Sequence, residues 1–304
     1  MSTSRFPKNK MNPTQTANKV LASPKATKFL AGEGIEGRKL MLFGDVGSGK
    51  TYAFADLVTS GERLLVVTTE EGGGGMITLA NELARRGNGE LYRTNVFVVT
   101  LYEYKSVLEA FKMVTNKETG KKEPALYKYY PELREFAPTV LVWEGFTNFQ
   151  TALADEEILG NDEMKIDAAD GGRHGYWGEL LKISRRILQD FQSCSDPDHP
   201  WDHVMTVHDA EDWEYVDNKK TKFLGLKPAV MGQAQKNLER AHDVILHLMK
   251  VEKKGPSGSS VNYLYEATKT RGHELPLGTF PADMKMVWAE MGRTLEATKK
   301  EETK

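Results

Sequence analysis

Eight consecutive residues, Gly44-Asp45-Val46-Gly47-Ser48-Gly49-Lys50-Thr51, fit the pattern G-x-x-x-x-G-K-[ST]. Glycines at that spacing let the backbone wrap closely around an anion, with amide hydrogens and the start of the following helix turned toward phosphate oxygens. Lys50 then supplies a cation for the β- and γ-phosphates, and the Thr51 hydroxyl a ligand for Mg²⁺. The run falls between the apolar segment Leu40-Met41-Leu42-Phe43 and a helical stretch over 52–59, which is the setting the pattern requires. The chemistry to expect is binding of Mg-ATP.

Two further carboxylates are needed for hydrolysis. An acid at the end of a later strand must hold the magnesium water shell, and Val140-Leu141-Val142-Trp143-Glu144 is an apolar run closed by a carboxylate. Glu144 is therefore the candidate, one methylene longer than the aspartate more usual there. A second group must orient or deprotonate the attacking water. Glu70 and Glu71 close the second strand, Leu65-Val66-Val67-Thr68-Thr69, which is expected next to the phosphate-loop strand; Glu70 is the better choice. The following Gly72–Gly75 permits a tight turn there.

The elements that must position these groups alternate short apolar runs with longer amphipathic stretches, as βαβ units feeding a mostly parallel sheet do. Strands are expected at Leu64–Thr68, Val96–Thr100, Thr139–Trp143 and Val204–Val207, and helices at Met76–Arg86, Tyr104–Val114, Tyr176–Gln192 and Ala229–Ala241. Trp213–Val216 and Thr221–Leu224 read as a hairpin around the polar turn 217–220, and Val244–Met249 with Val261–Ala267 as an antiparallel hairpin at the C-terminal edge. The fold class is α/β, one domain over residues 32–292, with insertions at about 116–138 and 145–175. Residues 1–31 carry six basic and no acidic residues before position 31 and read as a basic arm lacking apolar periodicity; 293–304 read as a charged tail.

In this order, over about Lys39–Pro276, the chain resembles the RecA/KaiC-like ATPases, and most closely the small phage RecA-like recombination ATPases associated with single-strand annealing. The features that carry the resemblance are the phosphate loop, Glu70, the strand ending at Glu144, the strand Val204-Met205-Thr206-Val207 tipped by His208, and Lys269-Thr270-Arg271 after the last hairpin strand. The resemblance implies a RecA-like P-loop core and His208 as the sensor of the γ-phosphate, where the family usually has Gln or Asn. It also implies that Lys269 and Arg271 reach the ATP of an adjacent subunit, in a filament or a ring.

It further implies that two segments, Gly145–Gly175 and Asp209–Lys227, meet single-stranded DNA. In the second, Lys219, Lys220 and Lys222 beside Trp213, Tyr215 and Phe223 combine phosphate-neutralising charge with stacking faces. Weaker candidates are Tyr127–Tyr130 and the cluster Arg173, His174, Tyr176 and Trp177. The function to expect is a recombination or annealing ATPase; a ring-forming helicase or packaging motor, and an assembly switch without nucleic acid, are the alternatives.

Composition bounds these readings. With 39% hydrophobic and 28% charged residues and no apolar run near the ~20 needed to span a bilayer, the chain reads as soluble. Its net charge of −2 neither supports nor excludes DNA. Cys194 is the one cysteine, so no disulfide framework exists; that and the lack of an N-terminal apolar segment point to a reducing cytoplasm, that of a bacterial host if the gene is a phage's. Cys194, His199 and His203 have zinc-like spacing but fall short of four ligands.

Overall fold

Five apolar runs, too short for helices and apolar on both alternating faces, are the sequence of strands covered on two sides. The computed structural model describes residues 37–70, 74–159, 173–216, 219–230, 234–255, 258–271, 273–276 and 278–292; the expected basic arm and charged tail lie outside them. In it these runs become β1 (Lys39–Phe43), β2 (Leu64–Thr68), β3 (Val96–Thr100), β6 (Val140–Glu144) and β7 (Asp202–Val207), with β4 (Met113–Thr115) and β5 (Lys122–Pro124) forming a separate small hairpin. The hairpin β8 (Asp209–Val216) and β9 (Lys219–Pro228) follows β7, and β10 (Val244–Gly255), β11 (Gly258–Lys269) and β12 (Thr279–Pro281) complete the described strands.

The main sheet has the order β12-β11-β10-β1-β7-β6-β2-β3. Pairing is parallel from β10 through β3 and antiparallel at β10–β11 and β11–β12. This is the mostly parallel α/β sheet with antiparallel C-terminal strands that the sequence led us to expect. One expectation is overturned: β2 does not lie beside β1, because β7 and β6 stand between them. Order across a parallel sheet is set by the crossovers, which leave no local trace in the strands themselves.

Each strand contributes alternately to two cores. Leu40, Leu42, Leu64, Val66, Val140, Val142 and Val204 face α1 (Lys50–Thr59), α2 (Gly74–Arg85) and the C-terminal helix over 284–292. Met41, Phe43, Leu65, Val67, Leu141, Trp143, Met205 and Val207 face the other layer. That layer is built from α4 (Tyr104–Ala110), α7 (Phe146–Leu153), α8 (Arg173–Ser193) and α9 (Ala234–Ala241); α3 (Gly89–Asn95) precedes β3. At the centre of the second core the fully buried Trp143 ring meets Phe111, Phe146, Phe149 and Phe191 at centroid separations of 4.8, 5.0, 5.2 and 5.5 Å. Burial of each such ring stabilises the fold by about 1.5–3 kcal/mol.

Segments expected to be irregular supply part of this core. The helix expected over Tyr104–Val114 ends at Ala110, and the chain turns into β4. After β5 come α5 (Leu126–Tyr129) and α6 (Leu133–Phe136), which bury Leu126, Tyr127 and Leu133. Tyr127 also donates its hydroxyl to Asp196 at 2.7 Å, so its ring is a core element and not a stacking face. The segment 145–175 opens with α7 and a π-helical turn, Ala154–Leu159; residues 160–172 lie outside the described ones. Likewise, α9 begins at Ala234 instead of Ala229. Among the described residues no helix is long and apolar enough to cross a membrane.

One side chain ties the N-terminal ends of the elements together. Arg38 donates to Asp202 Oδ2 at 2.8 Å, Glu62 Oε1 at 3.1 Å and the Trp288 carbonyl at 3.2 Å, and its guanidinium lies 3.9 Å from the Trp288 ring centroid. Trp288 Nε1 and Thr139 Oγ1 also donate to Glu62. Arg38→Ala removes the cation shared by Asp202 and Glu62, leaves Asp202 without its guanidinium partner and is expected to destabilise the protein by about 2–4 kcal/mol. Denaturant unfolding checks this; a loss below about 0.5 kcal/mol would show the network to be energetically idle.

Candidate functional site

Because β1, β2, β6 and β7 run in one direction, their C-terminal ends share one edge of the sheet. There the loop after β1, Glu70 after β2, Glu144 at the end of β6 and His208 after β7 line a single cleft of about 460 Å³, together with Thr51, Gly75 and Tyr263. Glu71 lies outside the described residues.

The phosphate loop is shaped by its glycines. Gly47 and Gly49 adopt φ of 77° and 104°, left-handed values that disfavour a side chain. A Cβ on Gly44 would meet the Leu248 carbonyl at 2.5 Å, and one on Gly49 the Tyr263 ring at 2.8 Å. The loop is thus clamped from one side by the β10–β11 hairpin, with Tyr263 and Tyr52 packed at 4.8 Å between centroids. Asp45 accepts from Val46 N at 2.7 Å and its carbonyl from Ser48 N at 3.1 Å. Val46 is strongly exposed at the tip. Lys50 Nζ donates back to the Gly44 and Asp45 carbonyls at 2.7 and 3.0 Å. Burial lowers the Lys50 pKa, while Glu70, Asp209, Asp45 and Glu144 oppose the shift through their charge.

Glu144 is buried, and its Oε2 and the Ser48 hydroxyl have no hydrogen-bond partner among the described residues. Burial first and the charge of Glu70 second push its pKa up to about 7, against a Thr68 hydrogen bond and the charge of Lys50. A buried carboxylate oxygen without a donor beside a glycine cradle fits a bound cation and a phosphate chain. Thr51 and Glu144 are the residues that would hold Mg²⁺ and its waters, and the ion would supply charge neutralisation at phosphate oxygens.

Glu70 is held through its own N–H, which donates to Thr68 Oγ1 at 3.2 Å; its carboxylate lies 3.9 Å from His208 Nε2. His208 donates its backbone N–H to Thr147 Oγ1 at 3.1 Å and accepts from Ala229 N at 2.7 Å, so the base of the β8–β9 hairpin is attached directly to the cleft.

Two groups of expected residues lie elsewhere. Lys269 donates to the Glu239 and His242 carbonyls, and Arg271 to the Arg240 carbonyl at 2.8 Å and to Asp243 at 3.2 Å. Both therefore close the C-terminal end of α9, as cations at a helix C-terminus do, and neither lines the cleft. Lys219 and Lys220, expected in a turn, sit on β9 opposite Val216 and Tyr215, while Lys222 faces Glu214. Lys220 lies 3.4 Å from Glu211 and 5.1 Å from the Trp213 ring centroid. The sequence reading counted the lysines but not Asp209, Glu211, Asp212 and Glu214 on the facing strand. The side chains of Arg173, His174, Tyr176 and Trp177 lie outside the described residues. Cys194 and His203 are buried, with His203 Nε2 3.0 Å from the Cys194 carbonyl.

Thr68, Thr147, Gly75 and Tyr263 were not anticipated. Thr68 and Gly75 flank Glu70 closely enough in sequence to have been suspected, whereas nothing near Tyr263 marks it.

Fold and site together define an α/β protein with a phosphate loop of the P-loop type at the C-terminal edge of its parallel strands. The chain belongs to the AAA domain family (AAA_24), whose model matches residues 36–274. It is similar to the RadB recombinase, with 18% identity over 86% of this chain and 94% of that one at a TM-score of 0.45. A second similar structure is the KaiC-like protein PH0186 from the hyperthermophilic archaeon Pyrococcus horikoshii OT3, with 14% identity over 82% and 86% and a TM-score of 0.42. No curated protein matches.

The raised Glu144 pKa has a consequence for stability. Between the ordinary value of 4.5 and about 7, the folded nucleotide-free protein keeps a proton that the unfolded chain releases, so this group's contribution to stability falls as pH rises through that window. Because His203 and His242, lowered to about 4 by burial, act in the opposite sense, the test is the comparison with Glu144→Gln, whose melting temperature is expected to gain on that of the wild type from about pH 5 to about pH 8. Equal slopes in the two proteins would show that Glu144 titrates normally.

Proposed function

We propose that the protein binds Mg-ATP in this cleft and hydrolyses it, and that the nucleotide state governs its hold on single-stranded DNA in recombination or annealing. The observation that carries the reading is the convergence of Lys50, Glu70, Glu144 and His208 in one cleft, with the β8–β9 hairpin rooted at His208. In this reading Lys50 binds the phosphates, Glu70 orients and deprotonates water, and His208 senses the terminal phosphate. The ring of His208 faces Glu70, so a change at one is felt at the other.

ATP in this reading sits between subunits of a homo-oligomer. Support comes from Arg271, which lies two residues beyond β11, away from its own cleft and half-exposed, with Lys269 at the end of that strand. To serve a neighbour, Arg271 would exchange Asp243 and the Arg240 carbonyl for a phosphate.

DNA would meet β9, where Lys219 and Lys222 are exposed cations and Phe223 is half-exposed against Trp213 at 5.3 Å. The acidic partner strand offsets part of this charge, so stacking carries more of the binding than the lysines alone imply.

Lys50→Ala is expected to abolish ATP turnover; wild-type turnover in that variant ends the reading. Converting Lys219, Lys220 and Lys222 together to Ala should weaken single-strand binding and reduce the slope of log K against log salt by about 1.5–2, with basal turnover retained. An unchanged slope would remove β9 from the DNA site. Lys50→Ala and Arg271→Ala, each inactive, should regain partial hydrolysis when mixed, because some interfaces then pair an intact loop with an intact arginine. No recovery in mixtures that demonstrably co-assemble would end the trans role.

A further inference from the structure

Gly75 stands in the first turn of α2, where that helix meets the last residue of β6. A Cβ built on it would lie 2.1 Å from Glu144 Oε1, 3.0 Å from Cδ and 3.3 Å from Oε2, well inside contact distance. The backbone of Gly75 is not left-handed, so conformation alone does not call for glycine here. Alanine is also the better helix former. What calls for glycine is the space taken by the Glu144 carboxylate.

That carboxylate can move aside only toward the cleft it lines. Its residue closes a strand buried on both faces, its side chain is 4% exposed, and Thr68 stands directly opposite it in the β2–β6 pairing. An aspartate at position 144 would end one methylene earlier and leave the same volume free.

We propose that Gly75 is a positioning residue for Glu144: the missing side chain at 75 is the room that a glutamate, in place of an aspartate, needs at the end of β6 to present its carboxylate to the cleft. This rests on the reading of Glu144 as the residue that holds the magnesium waters. Gly75 also lines the cleft, so binding without metal separates an effect that runs through Glu144 from a direct one on the nucleotide.

The test compares Gly75→Ala, Glu144→Asp, the double variant and Glu144→Gln, measuring binding of a fluorescent ATP analogue across a Mg²⁺ titration and in EDTA. Gly75→Ala is expected to raise the Mg²⁺ concentration at half-saturation tenfold or more and to leave binding in EDTA within twofold of wild type. In the double variant the Mg²⁺ dependence should return to that of Glu144→Asp alone. An unchanged Mg²⁺ dependence in Gly75→Ala, or a deficit that adding Glu144→Asp does not relieve, overturns the proposal. If Gly75→Ala fails to fold, Glu144→Asp in the same background should restore the melting transition, and failure to do so is equally decisive against it. The underlying reading has its own control, since Glu144→Gln with wild-type Mg²⁺ dependence would remove Glu144 from the metal site whatever Gly75 does.

Discussion

The structure depends on the parallel pairing of β1 with β7, in the register that sets Phe43 against Val207. That register brings the phosphate loop and His208, more than 150 residues apart in the chain, off the sheet side by side. The neighbouring register of β6 with β2, Thr68 against Glu144, does the same for the two carboxylates. A slip of one residue in any of these pairings would exchange the faces of a strand and expose a buried apolar row, so packing on both faces and the geometry of the cleft are enforced together.

Electrostatically the cleft is a cation among acids. Lys50 lies within the field of Glu70, Asp45, Asp209 and Glu144 and spends its hydrogen bonds on the carbonyls of its own loop. Burial works against charge on both Lys50 and Glu144. A site in this state is under-compensated: it has carbonyl and carboxylate oxygens that favour cations and a glycine backbone that favours anions. A metal-bound polyphosphate answers both demands at once.

The two hairpins beyond the core play different parts. The β10–β11 pair continues past the end of β1 and clamps the phosphate loop, with Leu248 O near Gly44 and Tyr263 against Gly49. The β8–β9 pair stands apart as its own two-stranded sheet, acidic on one strand and basic on the other, with Phe223, Leu224 and Leu226 exposed. Two strands alone hold marginal stability in water, which makes this hairpin an element readily reshaped by whatever binds it.

The sequence by itself determined the phosphate loop, the α/β class and the strand-end carboxylates, because each is local: a glycine pattern, a run of apolar residues, an acid at its end. It also sufficed to place His208 and Glu70 at strand tips. Neighbour relations were decided only by the tertiary structure. That β7 and β6 separate β2 from β1, that Tyr127 packs in the core, and that Lys269 and Arg271 hold the end of α9 all depend on contacts between residues far apart in the chain. The same holds for Gly75, whose meaning as a glycine resides in the side chain of Glu144. Crossover paths and side-chain packing set these relations, and no window of sequence contains both partners.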